Sequence, residues 1–246
     1  MRSTRHPLLA LAALACACDS QADGKYLGEP LASFDGYVSR AGVAPLEAAM
    51  LWQRGPPPSS NDQELATRAP VQTGFPARFT LNLYQPPPAA ARRTLSPGEV
   101  PYARGNAGAV PYGIAADAAG ALPASPPNAA AYGIDPNHWI IYLPSDVPPG
   151  SLMEWWLSAA LPAGFHLLRV SAVDTTCIPA AQLNACAADL ARRGIRDDGT
   201  ANPGTARWFC RAPYRLSVAL PGEQLVLDLG TVGLGPAAGS GAPCPP

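Results

Sequence analysis

The chain has 246 residues, of which 48% are hydrophobic and 14% are charged, and its formal net charge is −1. This length and apolar content allow one large all-β domain, or two small ones, with a sizeable core. The low and balanced charge supplies no strong field for nucleic acid, so a nucleic-acid partner is excluded. The 23 glycines and 30 prolines predict an ordered domain with long, proline-stiffened loops.

The first 18 residues have the pattern of an export signal. A basic start is followed by an apolar run that is too short to cross a bilayer. The run contains Ala13-Leu14-Ala15-Cys16, which resembles the lipobox of bacterial lipoproteins. The resemblance implies cleavage before Cys16 and acylation of its thiol, so residues 1–16 are the predicted signal peptide and residues 17–30 a flexible tether. Cys18 is the alternative acceptor, because its use would leave an even number of cysteines, and a plain secretory signal is a further alternative.

The strands are predicted in chain order from apolar alternation. Residues 31–40 and 46–53 are predicted to pair across a Gly/Pro loop. Residues 78–84 form the clearest strand, which a triple proline ends, and the surrounding segments are predicted as its sheet partners. Residues 138–143 are apolar on both faces, which indicates a central strand. The later strands are predicted at residues 164–173, 214–220 and 225–229, the last two as a hairpin.

This succession of short strands predicts a mainly β fold. The Gly36-Tyr37-Val38 strand, a Gly/Pro turn and an apolar strand resemble the opening of immunoglobulin-like and transthyretin-like β-sandwich modules. Such modules include the carboxypeptidase-regulatory-like domains of exported bacterial proteins. We therefore expect an antiparallel β-sandwich over residues 31–230, with a Gly/Pro-rich tail at residues 231–246.

An insertion at residues 174–213 interrupts the strand pattern. Residues 180–193 are rich in helix formers and end before Gly194, so they form the one helix that we predict. Outside the signal, the cysteine spacing does not suit a metal site, and disulfides are expected in an exported protein. Three connectivities are possible. If the strands that end near Val173 and begin near Tyr214 are antiparallel neighbours, Cys177 lies close to Cys210, so the favoured pairing is Cys177–Cys210 with Cys186–Cys244, against Cys177–Cys186 with Cys210–Cys244. No metal or cofactor is predicted.

Few residues suggest catalysis. A hydrolase could use His166, or His138, which lies beside Asp135 and near Asp146, with a nearby aspartate. The chain contains no Gly-x-Ser-x-Gly elbow, His-Glu-x-x-His motif or phosphate loop. His138, Trp155 and Trp156 are the predicted ligand or partner contacts. On a strand the two tryptophans would point to opposite faces, and an exposed ring could bind a glycan or a protein. The alternative is that one tryptophan lies in the core and the other under the proline loops.

The lipobox, the strand ending in the triple proline and the strand at residues 164–170 together resemble exported lipoproteins of Gram-negative bacteria with GC-rich genomes. Members are expected to be β-sandwich modules without assigned activity. The first hypothesis is a non-catalytic binding or structural module that is lipid-anchored in the envelope. Its expected location is the outer membrane, facing the periplasm or the surface. The alternatives are a hydrolase of an envelope-associated substrate and an accessory subunit of an envelope or secretion assembly.

Overall fold

The computed structural model describes residues 27–40, 46–53, 63–74, 76–95, 98–113, 133–157, 159–172, 180–192, 210 and 214–230. Within these residues the protein is mainly β, which confirms the predicted fold class at that level. The strands are β1 (Ala32–Val38), β2 (Leu46–Gln53), β3 (Gln63–Pro70), β4 (Arg78–Leu83), β5 (Arg92–Arg93), β6 (Tyr102–Pro111), β7 (Gly133–Ile134), β8 (His138–Leu143), β9 (Gly164–Ala172), β10 (Tyr214–Val218) and β11 (Leu225–Leu229). The helices are α1 (Leu152–Leu157) and α2 (Ala180–Arg192), and a 3-10 turn covers Ala89–Ala91.

Strand β6 is the point at which the sheet divides. One edge of β6 pairs with β2, and β2 pairs in turn with β3. The other edge pairs with β8 near Gly105 and with β7 near Gly108. One arm therefore continues as β8, β9 and β10, and the other as β7, β11, β1 and β4. The described strands form a single branched sheet.

The pair formed by β1 and β11 makes the sheet mixed, because it is parallel whereas the other ladders are antiparallel. Gly36 on β1 lies opposite Leu225 on β11. A Cβ atom at Gly36 would lie 2.6 Å from the carbonyl oxygen of Leu225, so this close approach requires glycine.

Two hydrophobic clusters lie on opposite faces of β8. Ile140 belongs to the first cluster, which contains side chains of β1, β2, β4, β6 and β11. Ile141 belongs to the second cluster, which β9, β10, α1 and α2 complete. Since neighbouring strand residues face opposite ways, β8 is buried on both faces and lies between β6 and β9. The predicted central position of residues 138–143 is confirmed.

Three predicted strand pairings are wrong, although the strands themselves form. β1 pairs with β4 and β11, whereas β2 pairs with β3 and β6, so the first two strands do not pair. β4 is an edge strand with β1 as its ladder partner, which agrees with its single buried face. β10 pairs with β9, and β11 pairs with β1 and β7, so the turn between β10 and β11 connects two arms of the sheet.

Residues 152–157 form a helix, so the interpretation of Trp155 and Trp156 as strand residues is wrong. The hydroxyl of Ser151 accepts a hydrogen bond from the backbone N–H of Glu154 at 3.0 Å. The Glu154 carboxylate in turn accepts the backbone N–H of Gly150. This exchange resembles a capping box, and its Ser-x-x-Glu spacing is the sequence signal for the start of this helix.

Helix α2 confirms the predicted helix and lies against the second cluster. Leu190 is fully buried, and Cys186, one turn earlier on the same face, forms a disulfide with Cys210 over a Cα–Cα distance of 6.0 Å. Both predicted pairings placed these two cysteines in different bridges and are therefore wrong. β9 and β10 are antiparallel neighbours as assumed, but the buried face of α2 brings Cys186 to Cys210. Cys177 and Cys244 lie outside the described residues.

Candidate functional site

A charged cluster surrounds His138 at the start of β8. Asp135 lies three residues earlier in the bend after β7, and Arg169 lies directly opposite His138 on β9. Glu223 comes from the turn between β10 and β11. Three parts of the chain therefore meet around the imidazole ring, and we call these four residues the His138 cluster.

Asp135 is fully buried and is held by backbone groups. One carboxylate oxygen accepts the N–H of Asn137 at 2.7 Å and the N–H of His138 at 3.1 Å, as in an Asx turn. The other oxygen accepts the N–H of Val226 on β11 at 2.7 Å. These bonds replace the water that a buried carboxylate loses. Asp135 thus ties the start of β8 to β11.

Both ring nitrogens of His138 face carboxylates. Nδ1 lies 2.9 Å from Asp135 and Nε2 lies 2.8 Å from Glu223. A neutral imidazole has one N–H, so it could donate to only one of them, whereas the imidazolium donates to both. Burial alone lowers the pKa of His138, but hydrogen bonds and charge attraction from Asp135 and then Glu223 outweigh it, and the pKa is raised. The geometry favours the charged ring.

Glu223 is shared between two cations. Arg169 binds it through two hydrogen bonds, Nε to Oε1 at 2.9 Å and Nη2 to Oε2 at 2.8 Å. Together with the bond from His138, this fork lowers the pKa of Glu223 to about 2. The same contact raises the pKa of Arg169. The backbone N–H of Leu220 adds a bond at 2.8 Å that fixes the turn around Glu223.

The hydrogen bonds of His138 connect β8 to a neighbouring bend and turn and leave neither ring nitrogen free to act as a catalytic base. A general base needs a free ring nitrogen within hydrogen-bond reach of the proton that it removes. In His138 both nitrogens are occupied, and no hydroxyl or thiol of the described residues hydrogen-bonds to the ring. Asp146, the other aspartate noted near His138, accepts the N–H of Ala163 at 2.8 Å instead. His166 lies apart, with its Nε2 donating to the carbonyl of Pro162 at 2.7 Å.

The sequence predicts His138 and Asp135 as candidate residues but gives no indication of Glu223 and Arg169. The cross-strand position of Arg169 follows from the pairing of β8 with β9, which the sequence did not reveal. Glu223 occupies a Pro-Gly-Glu turn that was interpreted only as a hairpin loop. A charged residue in a tight turn is the sequence signal that could have indicated Glu223 as a site residue, and this signal is weak.

Trp156 lies in the second cluster and is 8% exposed. Its ring packs against Tyr102 at a centroid distance of 5.8 Å and against Trp139 at 6.2 Å. One of the two tryptophans was expected, as an alternative, to lie in the core. Trp156 lies there. Contact with a ligand through this ring would require it to leave the cluster. Trp155 lies on the same helix α1, whose backbone alone is described at that residue.

An open cleft of about 690 Å³ lies between β3 and β4. These strands follow one another in the chain, yet β3 pairs with β2 and β4 pairs with β1. The buried ring of Trp52 reaches the cleft, and the exposed Leu27, at the entry of the described chain, lines it. The remaining lining comes mainly from Thr67 and Ala69 of β3, Thr80 and Asn82 of β4, and Tyr84 and Pro86 after it. No pattern in the sequence predicts this cleft.

The predicted lipidation residues, Cys16 and Cys18, lie outside the described residues. No helix among the described residues is long and apolar enough to cross a membrane. The described residues also contain no group of three or more histidine, cysteine or acidic side chains suited to a metal ion.

Comparison with protein-family models, with curated proteins and with solved structures finds no match for this chain. The lipoprotein and immunoglobulin-like assignments therefore rest on the sequence resemblance described above.

Proposed function

We propose that the protein is a lipid-anchored module of the bacterial envelope that binds or supports a partner without catalysis. The observation that carries this proposal is the open cleft between β3 and β4, which is concave and contains both apolar and polar groups. Leu27, which belongs to the predicted tether at residues 17–30, lines the cleft. A partner in the cleft would therefore be held close to the membrane attachment point. The anchor itself is proposed from the lipobox resemblance at Cys16, with Cys18 as the alternative.

The His138 cluster supports the non-catalytic part of the proposal. Its two carboxylates and two cations satisfy one another, and its geometry joins β8, β9 and β11. The hydrolase alternative would require His138 to release one carboxylate and to gain a nucleophile. We therefore rank a hydrolase below a binding module.

The accessory-subunit alternative places the partner contact on the Cys-stapled insertion. Helix α2 is fixed to the domain through Leu190 and the Cys186–Cys210 disulfide. Ala181 and Gln182 at its start and Arg192 at its end are exposed, so the helix also presents an outward surface. This surface is the second candidate, because a rigid helix can position a partner.

We propose in addition that the branched sheet is an immunoglobulin-like or transthyretin-like sandwich. The first hydrophobic cluster supports this assignment, because Leu81 and Leu227 come from one arm of the sheet whereas Met50 and Ile140 come from β2 and β8. Side chains from both parts of the sheet thus share one core, as in two packed layers.

The test is site-specific photo-crosslinking in the native envelope. A photoreactive residue at Gln85, which is exposed and lines the cleft, is compared with one at Ser217, which is exposed on β10. We expect a discrete adduct from Gln85 that disappears when Asn82→Trp fills the cleft. Adducts of equal yield from both positions, or none from Gln85, would overturn the cleft as the binding site. A discrete adduct from the exposed face of α2 would favour the accessory-subunit alternative.

A further inference from the structure

We propose that the cleft binds its partner by strand addition, taking an extended peptide segment of a partner protein as a new strand beside β4. This inference rests on the proposed binding function and names the chemistry of the partner. It depends on three properties of β4: its unpaired backbone groups, the length of its open edge and the charge of Arg78.

The first property is the direction of the β4 backbone groups. In an antiparallel pair, residues alternate between bonding to the partner and pointing to the opposite edge. The N–H of Val38 donates to the carbonyl of Ala77 at 3.0 Å, which sets the phase so that Phe79 and Leu81 bond to β1. Thr80 and Asn82 therefore point their N–H and C=O groups toward the cleft. The bond from the N–H of Gln72 to the carbonyl of Arg78 at 2.9 Å confirms this phase.

No ladder joins β3 to β4 within the described strands. The backbone groups of Thr80 and Asn82 thus lack a protein partner in the described part of the chain, although they line a concave site. An edge with open donors and acceptors is a template for another strand. A backbone in extended conformation satisfies both groups of each residue, which a compact ligand or a flat protein surface does not.

The second property is length. A neighbouring cleft of about 460 Å³ meets the first at Pro70 and Thr80 and continues to Arg78. The two clefts together follow β4, which has 6 residues. The N–H of Gln72 already occupies the carbonyl of Arg78, so the open part of this edge begins at Thr80. At about 3.4 Å per residue, it accommodates an extended segment of about four residues. The shape therefore fits a peptide strand.

The third property sets a side-chain preference. Arg78 is exposed at one end of the combined cleft, and it forms no ion pair with the described residues. Asp35, the acidic residue at that end, already accepts the hydroxyl of Thr80 at 2.6 Å. The incoming strand should therefore carry an acidic side chain near Arg78, which complements its charge.

The test uses the full mature protein and a displayed library of random ten-residue peptides. The strongest peptide is then synthesised with single N-methyl groups, each of which removes one backbone donor without changing the protein. We expect alternate positions to weaken binding roughly tenfold and the positions between them to have little effect, since only every second residue faces β4. Weakening at consecutive positions, or at none, would overturn strand addition while leaving the binding function intact.

Protein variants locate the site. Thr80→Pro removes the N–H that faces the cleft without breaking the ladder to β1, and it should weaken binding about tenfold. Thr80→Val, which loses the bond to Asp35 but keeps the N–H, should bind normally. Val218→Pro places the same change on the outer edge of β10 and should also bind normally. Equal losses in Thr80→Pro and Val218→Pro would overturn the assignment to β4.

The charge preference and the identity of the occupant are tested separately. Arg78→Glu should select peptides with a basic residue where the unaltered protein selects an acidic one, and an unchanged selection would overturn this part of the inference. A dimer seen by analytical ultracentrifugation and lost in Thr80→Pro would show that the occupant is a second copy of the chain. If no peptide is enriched but the Gln85 crosslink forms, the extended-peptide inference fails and the binding function stands. If no peptide is enriched and no Gln85 crosslink forms, the extended-peptide inference and the proposed binding function both fail.

Discussion

Replacing Glu223 by glutamine should destabilise the protein and change how its stability depends on pH. The carboxylate bonds to His138 on β8 and to Arg169 on β9, and it fixes the turn before β11. Glutamine keeps the shape but loses the charge, and its amide would turn an N–H toward one of these donors. The variant therefore leaves His138 with Asp135 as its remaining carboxylate and removes the carboxylate that Arg169 binds.

The size of the effect follows from the pKa of Glu223, which falls from 4.5 to about 2 on folding. At about 1.4 kcal/mol per pH unit, the charged form gains at most about 3 kcal/mol. The side chain of Glu223 is 16% exposed, so solvent screens part of this attraction. We expect Glu223→Gln to lower the free energy of unfolding at pH 6 by about 1–3 kcal/mol, or the melting temperature by about 3–9 °C.

The pH profile supplies the second signature. The folded pKa of Glu223 is lowered, so its contribution is present above pH 4.5 and is lost as the pH falls toward about 2. The folded pKa of His138 is raised, so its contribution is complete below pH 6.5 and is lost as the pH rises through the folded value. The cluster should therefore stabilise most between these limits. Glu223→Gln should flatten both limbs of the profile.

Urea unfolding followed by tryptophan fluorescence, from pH 3 to pH 9, measures both effects. Glu29→Gln is the matched control, because Glu29 is exposed at the chain entry and should change neither stability nor profile. A loss below about 0.5 kcal/mol at pH 6, with the alkaline limb unchanged, would refute the account of His138 as a doubly bonded cation.

Three further predictions concern other parts of the molecule. Cys186→Ser should lower the free energy of unfolding by about 3 kcal/mol, because the bridge to Cys210 closes a loop with a sequence separation of 24. In urea unfolding, reductant should destabilise the parent protein by a similar amount and leave the variant unaffected. Gly36→Ala should lower the free energy of unfolding by about 1–3 kcal/mol, because the added methyl group would clash with β11. Gly74→Ala, which has open space around it, should change stability little in the same assay. Intact-mass spectrometry of envelope-purified protein should find an acylated N-terminal Cys16, and loss of the acyl group in Cys18→Ser instead would identify the alternative acceptor.

The sequence predicted many strands well because their local patterns are strong. β2, β8 and β11 begin and end at the predicted residues, and the double-sided burial of β8 was read from its apolar run. Strand partners were predicted poorly. Pairing depends on contacts between distant residues, such as Gly36 with Leu225, and alternation within one strand carries no information about them.

The candidate site shows the same division. Asp135 could be associated with His138 because they are three residues apart, whereas Glu223 is 85 residues away from the ring that it binds. The cleft could not be predicted from the sequence for the same reason. It exists because two consecutive strands do not pair, and consecutive strands with a turn between them ordinarily predict a hairpin.

The parallel pairing of β1 with β11 has a consequence for biosynthesis. Gly36, Tyr37 and Val38 are made early, but their partners, Leu225, Val226 and Leu227, emerge from the ribosome only after nearly all of the described chain. Until then β1 has an unpaired edge, and Asp135 lacks the N–H of Val226. Such long-range closure is slow and follows synthesis rather than accompanying it. A nascent chain that stops before residue 225 should therefore remain without its finished fold and open to chaperones.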